Sequence, residues 1–402
     1  MYNPFSTNIY EAERYTNGDW FFKLFDSDLK TTKLRTEKER LDAVLCNPAV
    51  LKVFKLQCDM FSLAKINAVR NERVLQNDPL VNFLKKPNLY QTQRQYLWDY
   101  MFWNMLGTAY LYTNTKTLNN STVSYFLDPS RFVWETELIQ KLDKNILSRQ
   151  SFNDLERETI QYYNLDGTYT TYTLKDIMPF FDLSNGVGNW YRGNSAIDAL
   201  YKVIYNSDQS LDAKGINLEF SRKFMVTGQH KETDIYGAPM SGDEKDSIER
   251  NVRKNKPVHA VKTMADIKRF VDNIANLKLD ESYREDYFTI GNFYGIPRDV
   301  LEVNVNGSTY ENQEKARLMH VEYCLKPKGY DLVNGLERIF GYEQRNIDLV
   351  ISWNHLSFMQ FAEREKALTK KDQLANLQMA QSLGALTPEE VSNRAKEIMQ
   401  YE

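Results

Sequence analysis

The spacing of apolar residues changes along the chain from a helical period to a strand period and back. Between residues 36 and 68, apolar positions recur every three or four residues, and Asn47-Pro48 divides this stretch into two predicted helices. Asn47 is a typical N-cap residue and Pro48 suits the first helical position. A further, aromatic helix is predicted over residues 91–106, with Gly107 ending it.

The middle of the chain is predicted to be rich in strands. Residues 109–112 form a strand candidate, and residues 124–134 indicate a strand, a turn at Asp128-Pro129 and a second strand. Residues 159–164 and 169–173 flank Asp166-Gly167, a dipeptide that favours a tight hairpin turn. We therefore expect a β-hairpin here.

After Gly193 the helical period returns and continues over residues 196–224, with Ser195 as the predicted cap. At 1.5 Å per residue such a helix would span roughly 43 Å. The next stretch indicates a loop at 228–242, a short charged helix at 243–254 and a β-like segment at 257–263. A further helix from about residue 278 completes a predicted arrangement of long helix, inserted module and second helix.

The stretch from Gly295 to Gly341 carries the most information. Gly295-Ile296-Pro297 predicts a turn because proline restricts its predecessor and cannot continue a helix. A polar loop follows, and the S-x-x-E spacing of Ser308 and Glu311 predicts a capped helix start. The apolar stripe of that helix resumes after Pro327. The tail, residues 358–402, predicts two helices, with Gly384 ending the first, Thr387 capping the second and Pro388 at its first helical position.

Composition narrows the class of protein. With 402 residues, more than one lobe is expected, and 42% hydrophobic with 26% charged residues fits a folded chain. The net charge of −3, from 51 basic and 54 acidic residues, argues against tight phosphate binding as the main task.

The three widely spaced cysteines predict reduced thiols in a cytosolic protein. The sequence shows neither a signal peptide nor an apolar run long enough to cross a membrane.

One segment imitates a nucleotide-binding loop. Gly188 to Ser195 has the spacing of G-x-x-x-x-G-K-[ST], and a helix is predicted to follow. Asn194 stands where the phosphate-binding lysine is needed, and Trp190 and Tyr191 occupy positions that are usually small. A glycine turn with Ser195 capping the helix is therefore the preferred interpretation.

Recognisable catalytic chemistry is missing from the sequence. The four histidines form no H-x-x-x-H or H-E-x-x-H pair, and no G-x-S-x-G elbow occurs. Acidic pairs such as Asp243-Glu244 and Glu389-Glu390 fall in predicted first helical turns, where the helix dipole accounts for them. We therefore predict a protein that is not an enzyme and that needs no cofactor or metal.

The order of these features resembles the portal proteins of tailed bacteriophages, the head-to-tail connectors of long-tailed phages. The resemblance covers residues 78–390 and is strongest at 295–341, where G-[IV]-P, a loop, a capped helix, Leu-x-Pro and a second helix follow one another. It implies a mainly helical α+β protomer with a wing, a long-helix stem, a small α/β clip and a C-terminal helical crown. The implied layout is wing 1–195, stem helix 196–224, clip 225–277, second stem helix 278–294, tunnel loop 295–309, long kinked helix and remaining wing 310–356, and crown 357–402.

The resemblance also implies a function and partners. Copies would form a ring, commonly of twelve, at one vertex of a virion capsid after assembly in the host cytoplasm. Double-stranded DNA would pass through the ring during packaging and ejection. Terminase, the major capsid protein and neck or tail adaptors would be the protein partners, with no membrane contact.

Two groups of site residues follow from the resemblance. The first belongs to the DNA-facing tunnel loop, whose twelve residues from Arg298 to Thr309, doubled back, could extend about 20 Å. Its predicted site residues are Arg298, Val303, Asn304, Val305, Asn306, Gly307, Ser308 and Thr309. The second is a set of clip residues for subunit or adaptor contacts: Tyr236, Arg250, Arg253, Lys254 and Lys256. The basic cluster of this second set could also grip DNA or simply form a solvated helix face.

Two other classes of protein stay open at this point. The 25 tyrosines and 6 tryptophans would also suit a carbohydrate-acting enzyme or a lectin. A different phage head–neck structural protein is the other alternative, although adaptors of that kind are generally much shorter.

Overall fold

The computed structural model describes residues 36–115, 117–119, 121–146, 157–183, 193–220, 224–228, 243, 246, 265–269, 279–301, 310–383 and 387–400. Contacts between Cα atoms divide the chain into two compact units. The first unit combines Met1–Ile204 with Tyr287–Glu402, and the second is Tyr205–Asp286.

Helices dominate the described residues. In chain order they are α1 Glu37–Cys46, α2 Pro48–Phe61, α3 Pro79–Leu84, α4 Gln93–Met105, α5 Thr136–Ile146, α6 Tyr201–Phe220, α7 Leu279–Phe293, α8 Arg298–Leu301, α9 Tyr310–His320, α10 Lys326–Phe340, α11 Ser357–Ser382 and α12 Pro388–Gln400. Five residues of π-helix, Val321–Leu325, join α9 to α10. A 3₁₀ segment, Ala196–Leu200, leads into α6.

The strands form small antiparallel sheets. They are β1 Lys65–Arg70, β2 Arg73–Val74, β3 Thr108–Thr113, β4 Ser124–Leu127, β5 Phe132–Val133, β6 Thr159–Tyr163, β7 Tyr169–Thr173, β8 Ile177–Phe181, β9 Phe224–Gly228, β10 Ala265–Arg269 and β11 Asp348–Ser352. Three sheets have three strands each, in the orders β11-β1-β2, β4-β3-β8 and β5-β6-β7, and β9 pairs with β10. This composition confirms a mainly helical α+β fold for the described residues.

Several predicted helix and turn signals are confirmed by their hydrogen bonds. The Asn47 side chain accepts from the backbone N–H groups of Ala49 and Val50, which separates α1 from α2. Gly107 follows α4 with φ +126°, a conformation that other residues rarely adopt. The Asp166-Gly167 turn joins β6 and β7 in antiparallel register.

An aromatic core holds the first unit together. The Tyr100 ring of α4 lies 5.4 Å from the Phe61 ring and 5.4 Å from the Phe180 ring, measured between centroids. Phe61 also contacts Trp353, whose indole N–H donates to the Met60 carbonyl. The ring of fully buried Tyr96 packs at a tilt against the Phe126 ring, with 4.7 Å between the centroids. Burying large aromatic side chains of this kind is a major source of stability.

A second apolar cluster surrounds the hairpin. It packs α5 against β3 and the β5-β6-β7 sheet, and its buried members are Tyr110, Phe132, Leu138, Leu142, Ile160, Tyr162 and Ile177. The alternating burial of β6, with Ile160 and Tyr162 inward, is the pattern of a strand with one face on a core.

The second unit corrects the predicted end of the long helix. The helix stops at Phe220, and Phe224 begins β9 instead of extending α6. An apolar residue fits a helix face or a strand, so periodicity alone could not separate the two outcomes. The strand that pairs with β9 is Ala265–Arg269. Of the predicted loop at 228–242, Gly228 is the last residue of β9, and the rest lies outside the described residues, as does the predicted β-like segment 257–263.

Near its boundaries the second unit contains an ion pair between two helices. The Lys214 ammonium of α6 lies 2.5 Å from a carboxylate oxygen of Asp280 in α7, with both side chains exposed. Asp243 and Asp246 are helical, and the rest of the predicted charged helix at 243–254 lies outside the described residues.

The two predicted tail helices are confirmed as α11 and α12. Thr387 and Glu390 form a reciprocal cap at the start of α12: the Thr387 N–H donates to the Glu390 carboxylate at 2.9 Å, and the Glu390 N–H donates to the Thr387 hydroxyl at 3.3 Å. The bonds hold the pKa of the Glu390 carboxyl below its usual value.

Candidate functional site

The turn at Gly295 is the structural base of the predicted tunnel loop. Gly295 has φ +69°, in the left-handed region that favours glycine. A Cβ atom added there would lie 2.4 Å from the Cys324 sulfur. The backbone reverses direction as the Ile296 N–H donates to the Gly291 carbonyl at 2.9 Å. Glycine is therefore required here both by the backbone and by the packing.

A second close approach fixes the far side of this turn. Gly291, in α7, contacts Leu301 so closely that an added Cβ would lie 2.3 Å from the nearest Leu301 methyl carbon. The Tyr287 hydroxyl donates to the Leu301 carbonyl at 3.2 Å. Ile296 and Leu301 are buried. The chain is thus anchored at Leu301, where the undescribed residues 302–309 begin.

Arg298 starts a helical turn instead of extending away with the loop. The turn α8 comprises Arg298–Leu301, and the Val300 N–H donates to the Pro297 carbonyl at 2.9 Å. The Arg298 guanidinium lies over the Phe288 ring, 4.0 Å from its centroid. Proline before Arg298 supplies a fixed φ and a carbonyl acceptor, which favour such a turn. Of the twelve residues predicted for the loop, the first four are therefore helical.

His320 and Cys324 hold the Gly295 carbonyl from the other side. Because a carbonyl oxygen only accepts, the 3.1 Å contact identifies His320 Nδ1–H as the donor. The Cys324 thiol donates to the same oxygen at 3.4 Å. Burial lowers the pKa of His320 against the opposing effect of this hydrogen bond, so the ring is held in its neutral form.

The helix that leaves the loop changes to a π-helical turn close to the predicted proline. This turn, residues 321–325, ends two positions before Pro327. Proline lacks an N–H and its ring would clash with the carbonyl four residues earlier, and a widened turn accommodates both defects. The helix then continues to Phe340, and Gly341 ends it with φ +66°. Cys324 lies within this widened turn, so the π-helical turn and the Gly295 contact occupy one location.

After the π-helical turn, α10 packs against α4 and against the sheet that contains β8. The Lys328 ammonium donates to the Asp182 carboxylate at 3.0 Å and to the Asp182 carbonyl at 3.1 Å. The Tyr100 hydroxyl donates to the Lys328 carbonyl at 2.8 Å. An added Cβ at Gly335 would overlap the Phe180 ring of β8, so this glycine permits close packing of helix on sheet. These contacts hold α10 against α4 and the β8 end of the sheet.

A second ion pair, between Arg40 and Asp198, holds the segment that leads into the long helix α6. The buried Arg40 of α1 contacts Asp198 through two bonds, Nε to Oδ1 at 2.8 Å and Nη2 to Oδ2 at 2.5 Å. Its third nitrogen, Nη1, donates to the Leu106 carbonyl at 3.4 Å. Such a two-point geometry fixes orientation as well as distance. Arg40 therefore joins α1, the end of α4 and the 3₁₀ segment before α6.

The predicted cap at Ser195 is confirmed, and it explains the sequence that imitates a phosphate loop. The Ser195 hydroxyl accepts from the Ile197 N–H at 3.2 Å and donates to the Met105 carbonyl at 2.7 Å. The Gly193 N–H donates to the Thr108 hydroxyl at 2.7 Å, and an added Cβ there would lie 2.3 Å from the Gly107 carbonyl oxygen. Gly193 and Ser195 are therefore both held by contacts with other residues of the chain. The remainder of the imitating segment, residues 188–192, lies outside the described residues.

Tyr294, a half-buried tyrosine with a buried hydroxyl, lies near both ion pairs and next to the loop base. Burial raises the pKa of Tyr294 well above its usual value, and the nearby Asp182 and Asp198 carboxylates add to this effect while Arg40 opposes it. The Tyr294 hydroxyl has no hydrogen-bond partner among the described residues. The Tyr294 carbonyl accepts from the Gln57 side chain at 2.9 Å. Tyr294 directly precedes Gly295, so this cluster and the loop base are continuous in the chain.

Most of the predicted site residues lie outside the described part of the chain. These are Val303, Asn304, Val305, Asn306, Gly307, Ser308 and Thr309 of the loop, with Tyr236, Arg250, Arg253, Lys254 and Lys256 of the predicted clip. Arg298 is described and lies at the loop base. The contacts that do meet in space, Arg40 with Asp198 and Asp182 with Lys328, were not predicted. The sequence offered no signal for them because the partners are 158 and 146 residues apart.

The described residues assemble structural contacts and no recognisable reaction centre. No three His, Cys, Asp or Glu side chains come together there as metal ligands would. No described helix is both long enough and apolar enough to cross a membrane. A groove between α9 and α11 has an apolar floor that includes Leu318 and Phe358 and a rim of mixed charge, including Lys315 and Glu363.

Comparisons with known proteins identify the fold. The chain is similar to a chain of the virion of a native gene transfer agent (GTA) particle, with a TM-score of 0.59 and 12% identity over 84% of this chain and 89% of the other. It is similar to a chain from the neck of a native GTA particle with C12 symmetry, with a TM-score of 0.55 and 12% identity over 88% and 91% of the two chains.

A third similar structure is an HK97-family phage portal protein from Corynebacterium diphtheriae, with a TM-score of 0.50 and 12% identity over 78% of this chain and 94% of the other. No protein-family model and no curated protein sequence matches the chain. The chain has the fold of these phage portal and particle-neck structures, which confirms the resemblance to portal proteins at the level of fold.

Proposed function

We propose that this chain is the portal subunit of a phage or phage-like particle, a structural protein located at one vertex of the virion. Copies of the chain form a closed ring, with twelve as the expected number. The observation that carries this proposal is the fold itself, which the chain shares with portal and neck structures over most of its own length and most of theirs. A fold alone does not determine a function, so the ring is the property to test.

The geometry of the loop base supports a role for residues 302–309 in the channel. The turn at Gly295, the packing of Gly291 on Leu301 and the His320 bond give the loop a fixed base. The Asn, Ser and Thr side chains of the loop are polar and uncharged, which suits weak contact with a sliding duplex better than tight phosphate binding. Double-stranded DNA would pass these loops during packaging and ejection.

Further roles follow from the same proposal. The small unit Tyr205–Asp286 would be the stem end and clip that dock terminase and later the neck or tail adaptor. Packaging energy would come from a separate ATPase, and the chain itself would act as a scaffold, not an enzyme. Helices α11 and α12 would form the crown, and the major capsid protein would surround the wing.

Electron microscopy of the purified full-length chain tests the proposal. We expect closed rings with a central opening, and in their reconstruction the Leu301 and Tyr310 ends of the loop should border that opening. Rings in which these two residues face the outer surface would contradict the channel role. Particles of one chain under all conditions would contradict the portal assignment.

A further inference from the structure

Helix α11 is far more exposed than the helices that surround the core. It has 26 residues, and only its first turn is anchored, by buried Phe358 and Met359. Further along, Leu374, Leu377 and Ala380 are half-buried, and α11 also packs against α12. Every other described side chain of residues 360–382 is exposed, except half-buried Lys370.

The opposite side of α11 carries a second apolar stripe. Phe361, Leu368 and Met379 are 40%, 50% and 64% exposed. At about 100° per residue these three positions point within about 20° of one another. They lie on the far side of the helix from Leu374 and Leu377. An apolar stripe of this kind on a soluble helix indicates a contact that the single chain does not supply.

Charged residues flank this stripe with opposite signs on its two sides. Arg364 and Lys371 lie on one flank, and Glu365 and Asp372 lie on the other, each pair separated by seven residues or about two turns. All four side chains are exposed, and none makes an ion pair within the described part of the chain. The helix therefore presents a basic edge and an acidic edge on either side of one apolar stripe.

The heights of these charges match a cyclic arrangement of identical helices. In a cyclic ring every copy has the same height along the rotation axis, so residues of the same number lie level in neighbouring copies. With α11 parallel to that axis, Arg364 and Glu365 differ in height by only about 1.5 Å, and so do Lys371 and Asp372. The basic edge of one copy then meets the acidic edge of the next copy at two levels. A dimer with its two-fold axis perpendicular to α11 would instead place like edges together.

We propose that α11 is an interface between neighbouring copies of this chain, with Arg364 and Lys371 of one copy opposite Glu365 and Asp372 of the next and with the Phe361–Leu368–Met379 stripe beside these pairs. The proposal rests on the ring proposed above. It adds the surface that joins the subunits and the pairing of its charged edges, because each edge has a single complementary partner.

Two variants test the pairing by mutual rescue. Arg364→Glu/Lys371→Glu makes both edges acidic, and Glu365→Lys/Asp372→Lys makes both edges basic. Each variant alone should form rings only at a concentration at least about tenfold higher than the wild type, because like charges then face each other. Mixed in equal amounts, they should assemble at close to the wild-type concentration, with the two variants alternating around the ring. Mass photometry at low salt, over a series of protein concentrations, measures the concentration at which rings form.

Cysteine pairs provide a second, geometric readout. Arg364→Cys/Glu365→Cys should give disulfide-linked multimers up to the full ring on mild oxidation, because each copy offers one thiol to each neighbour. Glu365→Cys/Lys371→Cys is the matched control, since its two thiols differ in height by about 9 Å. Each single variant controls for the native cysteines, of which Cys46 is exposed.

The outcomes separate the interface from the proposed function. Wild-type rings that persist unchanged in both charge variants, with no 364–365 cross-link above the control, would overturn the interface while leaving the portal assignment intact. A wild-type chain that never forms rings would overturn the portal assignment, and the interface would fall with it. Rescue on mixing together with the 364–365 ladder would establish the interface.

Discussion

The loop base and helix α11 represent opposite ways of stabilising a structure. At the loop base, Gly291, Gly295 and His320 are fixed by close contacts from the same chain, and the neighbouring side chains are buried. Along most of α11, apolar and charged side chains face solvent without partners in the described residues. The first region is complete within one subunit. The second acquires its contacts only when another copy is present, so mutations should affect stability in the first region and assembly in the second.

The largest effect on stability is expected at the buried ion pair. Asp198→Asn would leave the Arg40 guanidinium, whose side chain is 8% exposed, without its carboxylate. Removing one partner of a buried pair typically costs 3–5 kcal/mol, and because the Asp198 side chain is 34% exposed we expect about 3 kcal/mol. Urea denaturation measures the loss.

The exposed pair Lys141–Glu158 supplies the control for this experiment. Its lysine side chain is 54% exposed, so Lys141→Ala should cost about 0.5 kcal/mol or less. Equal losses of unfolding free energy in the two variants would show that the buried Arg40–Asp198 pair stabilises the protein no more than an exposed pair does.

The next largest effect is expected at Gly295. Gly295→Ala places a β-carbon in the left-handed region and within 2.4 Å of the Cys324 sulfur, which together should cost about 2 kcal/mol. Adding Cys324→Ala should recover the steric part of the loss and leave the backbone part. Denaturation curves of the three proteins separate the two contributions.

Gly215 is the matched glycine for this comparison. It lies in α6, is exposed, and has no atom within 4 Å of an added Cβ. Gly215→Ala should therefore stabilise the protein, by about 0.5–1 kcal/mol, because alanine favours helix more than glycine does. A loss at Gly215 as large as that at Gly295 would refute the role given to the loop base.

A smaller, pH-dependent effect is expected from His320. Its pKa is lowered in the folded protein, so the unfolded chain binds the proton more readily. The stability from neutral His320 is fully present above its unfolded pKa of about 6.5 and is lost as the pH falls through its folded pKa. His320→Asn keeps a donor for the Gly295 carbonyl and does not titrate, so its stability should fall less between pH 7 and pH 5. Parallel slopes for the two proteins would contradict this role.

The smallest effect on subunit stability is expected on α11. Leu368→Ser changes a side chain that is 50% exposed, so the free energy of unfolding should stay within about 0.5 kcal/mol of the wild type. Ring formation should nevertheless weaken, since the apolar stripe loses its central residue. A large drop in the stability of the isolated chain would place Leu368 in an intramolecular contact and contradict the comparison.

Many helix caps and turns could be predicted from the sequence, because each depends on residues that are only a few positions apart. The caps at Asn47, Ser195 and Thr387 and the turn at Asp166-Gly167 were all predicted and are confirmed by hydrogen bonds or φ angles. Each depends on a side chain bonding to backbone two or three positions away.

Interactions between distant residues were not accessible in the same way. Arg40 is charged and lies among the first helix's polar positions, so its burial could not be anticipated without knowing that Asp198 meets it. The composition of residues 298–301 suits a loop as well as a helical turn, so the sequence did not distinguish the two. A helix can accommodate a proline in several ways, and the π-helical turn at 321–325 is one of them. The turn at Gly295 was therefore predicted from the sequence, while the contacts around it were found only in the structure. The role of the loop stays a prediction.

The mass of the assembled protein tests the central claim most directly. Native mass spectrometry of the full-length chain should show one closed species, and twelve copies of a 47.2 kDa chain would weigh about 570 kDa. A single-chain mass that persists across the whole concentration range, or an open series of ever larger species, would contradict a portal ring.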